Sequence, residues 1–228
     1  MNDNAGTYIG CVTQLSRRSL ITTAVAILAG CKTTTTHQAA GEPGSGTTPT
    51  AETNPAQERV EIVSVAMVGD SITDGSSNEL RALLAELGID DVIIDGETSR
   101  RIEIGSGRNG SSLSGVRAVE SLLEDDVDPS VWVIALGTND VGSFGTPQKG
   151  EELIAKITAL LPPPKPLVWV NVYRPSELRQ TRVFNEVLEG HLSERGNAVV
   201  ADWYSIATDR ELDVLSSDEL QPNDAGQV

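Results

Sequence analysis

Residues 60–73 read VEIVSVAMVGDSIT. The run is apolar almost throughout and ends in a glycine and a polar turn. A strand with one wet face would alternate apolar and polar residues; this one does not, so it predicts a strand buried on both faces. VWVIALGTND (131–140) and PLVWVNVY (166–173) have the same texture, and DVIID (91–95) and NAVVADW (197–203) read as further strands. RIEIG (101–105) reads as a short one. Between them lie segments with helical spacing of apolar residues: NELRALLAELG (78–88), SGVRAVESLLED (114–125), KGEELIAKITALL (149–161) and SELRQTRVFNEVLEGHLSERG (176–196). Gly88 fits a helix end, and Pro162, Pro163 and Pro164 stop the third helix. Strands alternating with helices predict an α/β fold, a three-layer α/β/α domain with a parallel, flavodoxin-like sheet over 59–228. Sites in such sheets lie at the carboxyl ends of the strands.

The amino terminus carries an address. In SRRSLITTAVAILAGC (16–31), Arg17 and Arg18 precede an uncharged segment from Ser19 to Gly30. A bilayer span needs roughly 20 apolar residues, so the segment is too short for one. It fits the core of a signal peptide over 1–30, with a twin-arginine, Tat-type start. Leu28-Ala29-Gly30-Cys31 resembles a bacterial lipobox, in which the chain is cut before the cysteine and the cysteine is lipidated; a plain secretory peptide is the other reading. Residues 31–58, rich in Thr, Pro, Gly and Ala, read as the lipidated Cys and a disordered linker holding His37. The expected location is the outer face of the cytoplasmic membrane, through a lipid anchor only, or the exterior.

The 228 residues carry a formal net charge of -16, which argues against nucleic-acid binding through a basic face. Aromatics make up 4% of the chain, too few for long stacking platforms. Cys11 and Cys31 are the only cysteines, and Cys11 leaves with the signal, so the mature chain forms no internal disulfide. Thiolate metal sites are excluded with it, and His37 and His191 are the only histidines. No metal or organic cofactor is expected.

Three polar clusters follow apolar runs: GDSIT (69–73), GTND (137–140) and the terminal DELQPN (218–223). All three are expected at one edge of the sheet. A glycine-rich loop, IGSGRNGSS (104–112), precedes a helix. Each feature alone has a plainer reading: Ser71 as a helix-start residue, Asp70 as its cap, Asn139 and Asp140 as turn formers, the glycines as simple turns.

Together and in this order they resemble the blocks of the SGNH (GDSL-type) hydrolase superfamily, in its actinobacterial form with W-x-x-A-L-G-T-N-D. The likeness spans about residues 60–228. It implies that Ser71 is the nucleophile and that the oxyanion hole comes from the Ser71 N–H, a loop glycine N–H and the Asn139 side chain. The glycine is Gly107, with Gly105 and Gly110 as competitors; Arg108 either binds an anionic substrate or braces the loop. An ester carbonyl becomes an oxyanion when attacked, so fixed donors must point at that charge.

The family's base is a His three residues after an Asp. The Asp matches Asp218, but the His position holds Gln221, followed by Pro222 and Asn223 as in the family. A glutamine amide has no useful pKa and cannot take the serine proton. His191 falls on the core-facing stripe with Phe184, Val187 and Leu188, near the helix's far end, so it is expected at the wrong edge of the sheet. Asp218 acting directly, or Asp74 three residues after Ser71, are the remaining candidates. The family's last helix is expected to be cut short at Val228.

The reading is an extracytoplasmic serine ester hydrolase, of acyl esterase or acyltransferase type, acting on envelope or small esters. Its partners are a small-molecule or glycan ester and no nucleic acid. The alternative is a pseudo-enzyme of the same fold that binds envelope glycans or a protein.

Overall fold

The computed structural model describes residues 61–105, 113–209 and 211–227. Its centre is a five-stranded sheet, β1 (Ser64–Gly69), β2 (Asp91–Gly96), β3 (Val131–Ala135), β4 (Leu167–Val170) and β5 (Ala198–Ala201). All pairs are parallel and the spatial order is β2-β1-β3-β4-β5. This is the doubly wound order of flavodoxin-like folds, whose switch point lies between β1 and β3. The sheet edge that carries Gly69 and Ala135 is therefore where a site is expected.

The period of two along each strand divides the core. Ala66, Val68, Trp132, Ile134, Leu167 and Trp169 share one face. They pack with α3 (Gly115–Glu124), α4 (Pro147–Leu160) and α5 (Leu178–Arg195), through Ala118, Ile154, Phe184 and Leu188. Val65, Met67, Val131, Val133 and Val168 share the other face, against Leu80 and Leu84 of α2 (Ser77–Glu86). Both faces are covered, which is why the strands read as unbroken apolar runs. A smaller cluster of Trp203, Ala207 and Val214 sits under α6 (Trp203–Thr208).

Gly88 has φ +79° just beyond α2, a backbone conformation that glycine adopts without strain. Residues 101–105 do not form the expected strand. Their backbone groups are taken: the Arg101 and Ile102 carbonyls accept the Gly115 and Val116 N–H groups at the start of α3, and the Ile102 N–H donates to Asp140. Two short helices add to these, the second of them not anticipated. One is α1 (Ser71–Gly75), a single turn that begins at the GDS triplet; the other is α6, which stops β5 at Ala201 and is capped by Asp202 on the Ser205 N–H. The signal segment, Cys11, Cys31 and His37 lie outside the described residues. Among the described residues, no helix is long and apolar enough to cross a membrane.

Candidate active site

β1 ends at Gly69, and the chain turns at once into α1. A Cβ on Gly69 would stand 1.9 Å from Thr73 Oγ1, so only glycine lets the helix fold back this tightly. Asp70 is the N-cap: its Oδ1 accepts the Ile72 N–H at 3.0 Å. Ser71 is thus the first residue of the helix, half-buried at the carboxyl end of β1. The plain reading of Asp70 and Ser71 as cap and helix start holds, and it is also what presents the hydroxyl.

The GTND turn follows β3, the neighbour of β1. Gly137 has φ +124° and packs against Phe184, where an added Cβ would sit 2.6 Å from the ring. Asn139 is half-buried and reaches across to the first cluster. Its Nδ2 donates to Asp70 Oδ2 at 3.3 Å and to the Arg100 carbonyl at 3.2 Å. Asp140 points inward, and its two oxygens share the Ile102 N–H at 3.3 and 3.2 Å.

The terminal segment supplies the third side. Gln221 Nε2 donates to Ser71 Oγ at 3.1 Å, between residues 150 apart in the chain. Both later clusters therefore reach the first, GTND through Asn139 on Asp70 and the terminal segment through Gln221 on Ser71. What faces that serine is a donor. The amide holds the hydroxyl oxygen but offers no group that takes its proton.

The other candidate bases are placed elsewhere. His191 lies between α4 and α5, its ring nitrogens bonded to Thr158 Oγ1 at 2.8 Å and to Glu151. One turn further on, Arg195 donates to the carbonyls of Leu161 and Lys165, just ahead of β4. His191 thus belongs to the amino edge of the sheet, opposite Ser71. Asp218 Oδ1 accepts the Leu220 and Gln221 N–H groups at 3.0 and 2.9 Å, and these bonds hold its carboxyl below the usual range. That makes it a weaker proton acceptor, and it serves the loop that carries Gln221. Asp74, three residues after Ser71 in α1, is exposed. Of the loop glycines, Gly107 and Gly110 lie outside the described residues, as does Arg108; Gly105 is described and half-buried.

Burial raises two carboxyls. Asp70, 1% exposed, is pushed up to about 6 by desolvation, against the pull of the Ile72 N–H and the Arg100 charge. Asp140, 4% exposed, is pushed up to about 7 by desolvation, with the Asp70 charge adding to it. Among the described residues, neither makes an ion pair.

The residue that sequence reading missed is Arg100. It is 3% exposed and forks between three carbonyls, of Gly69, Asp95 and Leu113, and the Asp95 carboxylate. It joins the ends of β1 and β2 to the segment before α3, and its own carbonyl holds Asn139. A buried cation in an irregular segment has no periodic signature; the only available signal was a pair of arginines a few residues after a strand.

A cleft of about 690 Å³ opens beside the terminal segment, lined by Tyr173, Leu178, Arg182, Tyr204, Leu215 and Glu219. Ser71, Asn139 and Gln221 are not among its lining residues. Its volume is within the range of small-ligand sites. Among the described residues, no group of three or more His, Cys, Asp or Glu is arranged to hold a metal ion.

Residues 67–228 match the model of the GDSL-like Lipase/Acylhydrolase family. No curated protein matches the chain. Among solved structures, a member of the lipolytic G-D-S-L family from Veillonella parvula is similar at 20% identity and a TM-score of 0.55, covering 72% of this chain and 91% of that one. TesA is similar at 20% identity and a TM-score of 0.53, with 72% and 91% covered. A family 3 carbohydrate esterase from Clostridium thermocellum is similar at 19% identity and a TM-score of 0.51, with 73% and 90% covered. These structures share the fold.

Proposed function

Because the chain belongs to the GDSL-like lipase/acylhydrolase family, we propose that it is an exported serine ester hydrolase whose acylation step is slowed by Gln221. The observation that carries this reading is the convergence of Ser71, Asn139 and Gln221 at one sheet edge, with Gln221 Nε2 on the nucleophile itself. Ser71 Oγ attacks an ester carbonyl, the alcohol leaves, and water or a sugar hydroxyl resolves the acyl-enzyme. Without a side-chain base, the Oγ proton passes to solvent water as the bond forms, which makes the step slow. Small esters and acetylated envelope glycans are the substrate class, supported by the signal-like letters of residues 16–31.

A fluorophosphonate tests the nucleophile directly. It is expected to label Ser71 slowly, over hours, and not to label Ser71→Ala, as read by intact mass. Two features favour a second reading, a pseudo-enzyme that binds acylated glycans without turnover: Gln221 presents a donor to Ser71, and both Asn139 amide protons are engaged within the protein. Acylated glycan binding that Ser71→Ala leaves intact, with no labelling of the wild type, would establish that reading and remove the first.

The location rests on residues 16–31. Cells fed an alkyne fatty acid are expected to yield labelled wild-type protein and unlabelled Cys31→Ser protein. Equal labelling of the two would place any acylation elsewhere and remove the anchor.

A further inference from the structure

An amide nitrogen has two protons, and the Asn139 Nδ2 has two acceptors, Asp70 Oδ2 and the Arg100 carbonyl. An oxyanion can gain a donor from Asn139 only by displacing one of them. The two differ in kind. The Arg100 carbonyl is fixed in place by the Arg100 side chain, which ties its segment to β1 and β2. The Asp70 carboxylate is charged and buried, and its hold on the amide weakens when it becomes neutral.

We propose that Asp70 is a positioning residue that latches Asn139: the ionised carboxylate holds one amide proton, and proton uptake by Asp70 releases that proton to an incoming ester oxygen. The inference rests on the ester-hydrolase reading for its purpose, but the latch itself is a property of the folded chain. The charged groups around Asp70 are few. On the segment after β2, Arg100 bears a positive charge, paired with Asp95. In the GTND turn, Asp140 is buried and negative when ionised, and each of the two carboxyls makes the other harder to ionise. Within α1, the only charged residue is the exposed Asp74. Burial places the Asp70 titration near 6, so the latch works in mildly acidic surroundings.

Side-chain amide NMR tests this without turnover. The Asn139 NH₂ pair, assigned by its loss in Asn139→Ala, is expected to shift with an inflection near pH 6 in the wild type. Asp70→Asn keeps an N-cap oxygen for Ile72 and is expected to abolish the inflection. Asp140→Asn is expected to keep it, which separates the two carboxyls. An inflection that survives in Asp70→Asn, or a wild-type pair that does not titrate between pH 4 and 8, overturns the latch. Phosphonylation of Ser71 in Gln221→His places an oxygen where the oxyanion forms, and the Asn139 pair is then expected to be pH-independent. A reagent that never labels Ser71 counts against the ester-hydrolase reading alone, because the titration decides the latch by itself.

Discussion

Gln221→His is expected to raise turnover of a short-chain aryl ester by on the order of 10³ or more. Removing one member of a serine triad typically costs about 10⁴ to 10⁶ in rate. A single restored residue in a site not tuned for it recovers part of that. The geometry favours recovery. Glutamine Nε2 and histidine Nε2 are the same number of bonds from Cα, and the amide nitrogen already stands 3.1 Å from Ser71 Oγ. That is within the reach a general base needs. Asp218 uses Oδ1 for both of its backbone bonds, leaving Oδ2 to orient an imidazole. The variant's rate is expected to show an inflection at about 6.5, the ordinary histidine range, that the wild type's lacks. Kinetics of wild type, Gln221→His and the Ser71→Ala/Gln221→His double variant decide the matter. A histidine variant that folds like wild type but is no faster than the double variant would mean that residue 221 is not at the base position.

Arg100→Ala is expected to destabilise the fold by about 3 kcal/mol, measured by chemical denaturation. Removing one partner of a buried ion pair usually costs about 3–5 kcal/mol. The lower end applies because Asp95 is 35% exposed and regains water, while Arg100 is 3% exposed. The loss also leaves the Asp95 and Leu113 carbonyls without this donor and opens a void where β1 and β2 end. Arg100→Lys is expected to recover less than half of the difference, because one ammonium cannot serve acceptors on several sides at once. In the Gln221→His background, Arg100→Ala is further expected to lower turnover at temperatures where the protein remains folded, because the Arg100 carbonyl holds Asn139. A midpoint within error of wild type would show that the fork is not a structural tie.

These two residues mark how far the amino-acid sequence could be read. β1, β3 and β4 were legible because both of their faces are buried, and so was the meeting of Ser71, Asn139 and Gln221, because each ends an apolar run or follows the last one. The displacement of His191 to the opposite edge followed from helix direction alone, and its bonds to Thr158 and Glu151 agree. Residues 101–105 misled because Ile102 and Ile104 alternate as in a strand, whereas the backbone between them is occupied by α3 and Asp140. In a strand, residues two apart share a face; here Ile102 is fully buried and Ile104 is 58% exposed, which fits a bend and not a strand. Arg100 was invisible because three of its four bonds go to carbonyls, which every residue has, so no side-chain pattern announces them. One of the two Asn139 acceptors is likewise a carbonyl.

The loop that carries residue 221 is closed by its own backbone and its neighbours. The Gln221 carbonyl accepts the Ser216 N–H, its N–H donates to Asp218, and Asn223 donates to the Asp213 and Leu215 carbonyls. Among the described residues, the Gln221 side chain takes no part in this closure and bonds only Ser71. Changing that side chain therefore costs the fold little beyond one hydrogen bond, on the order of 1 kcal/mol. A proton acceptor at 221 can be gained by a change of one residue that leaves the loop's own closure in place. A melting curve would register such a change only weakly, and turnover would register it strongly.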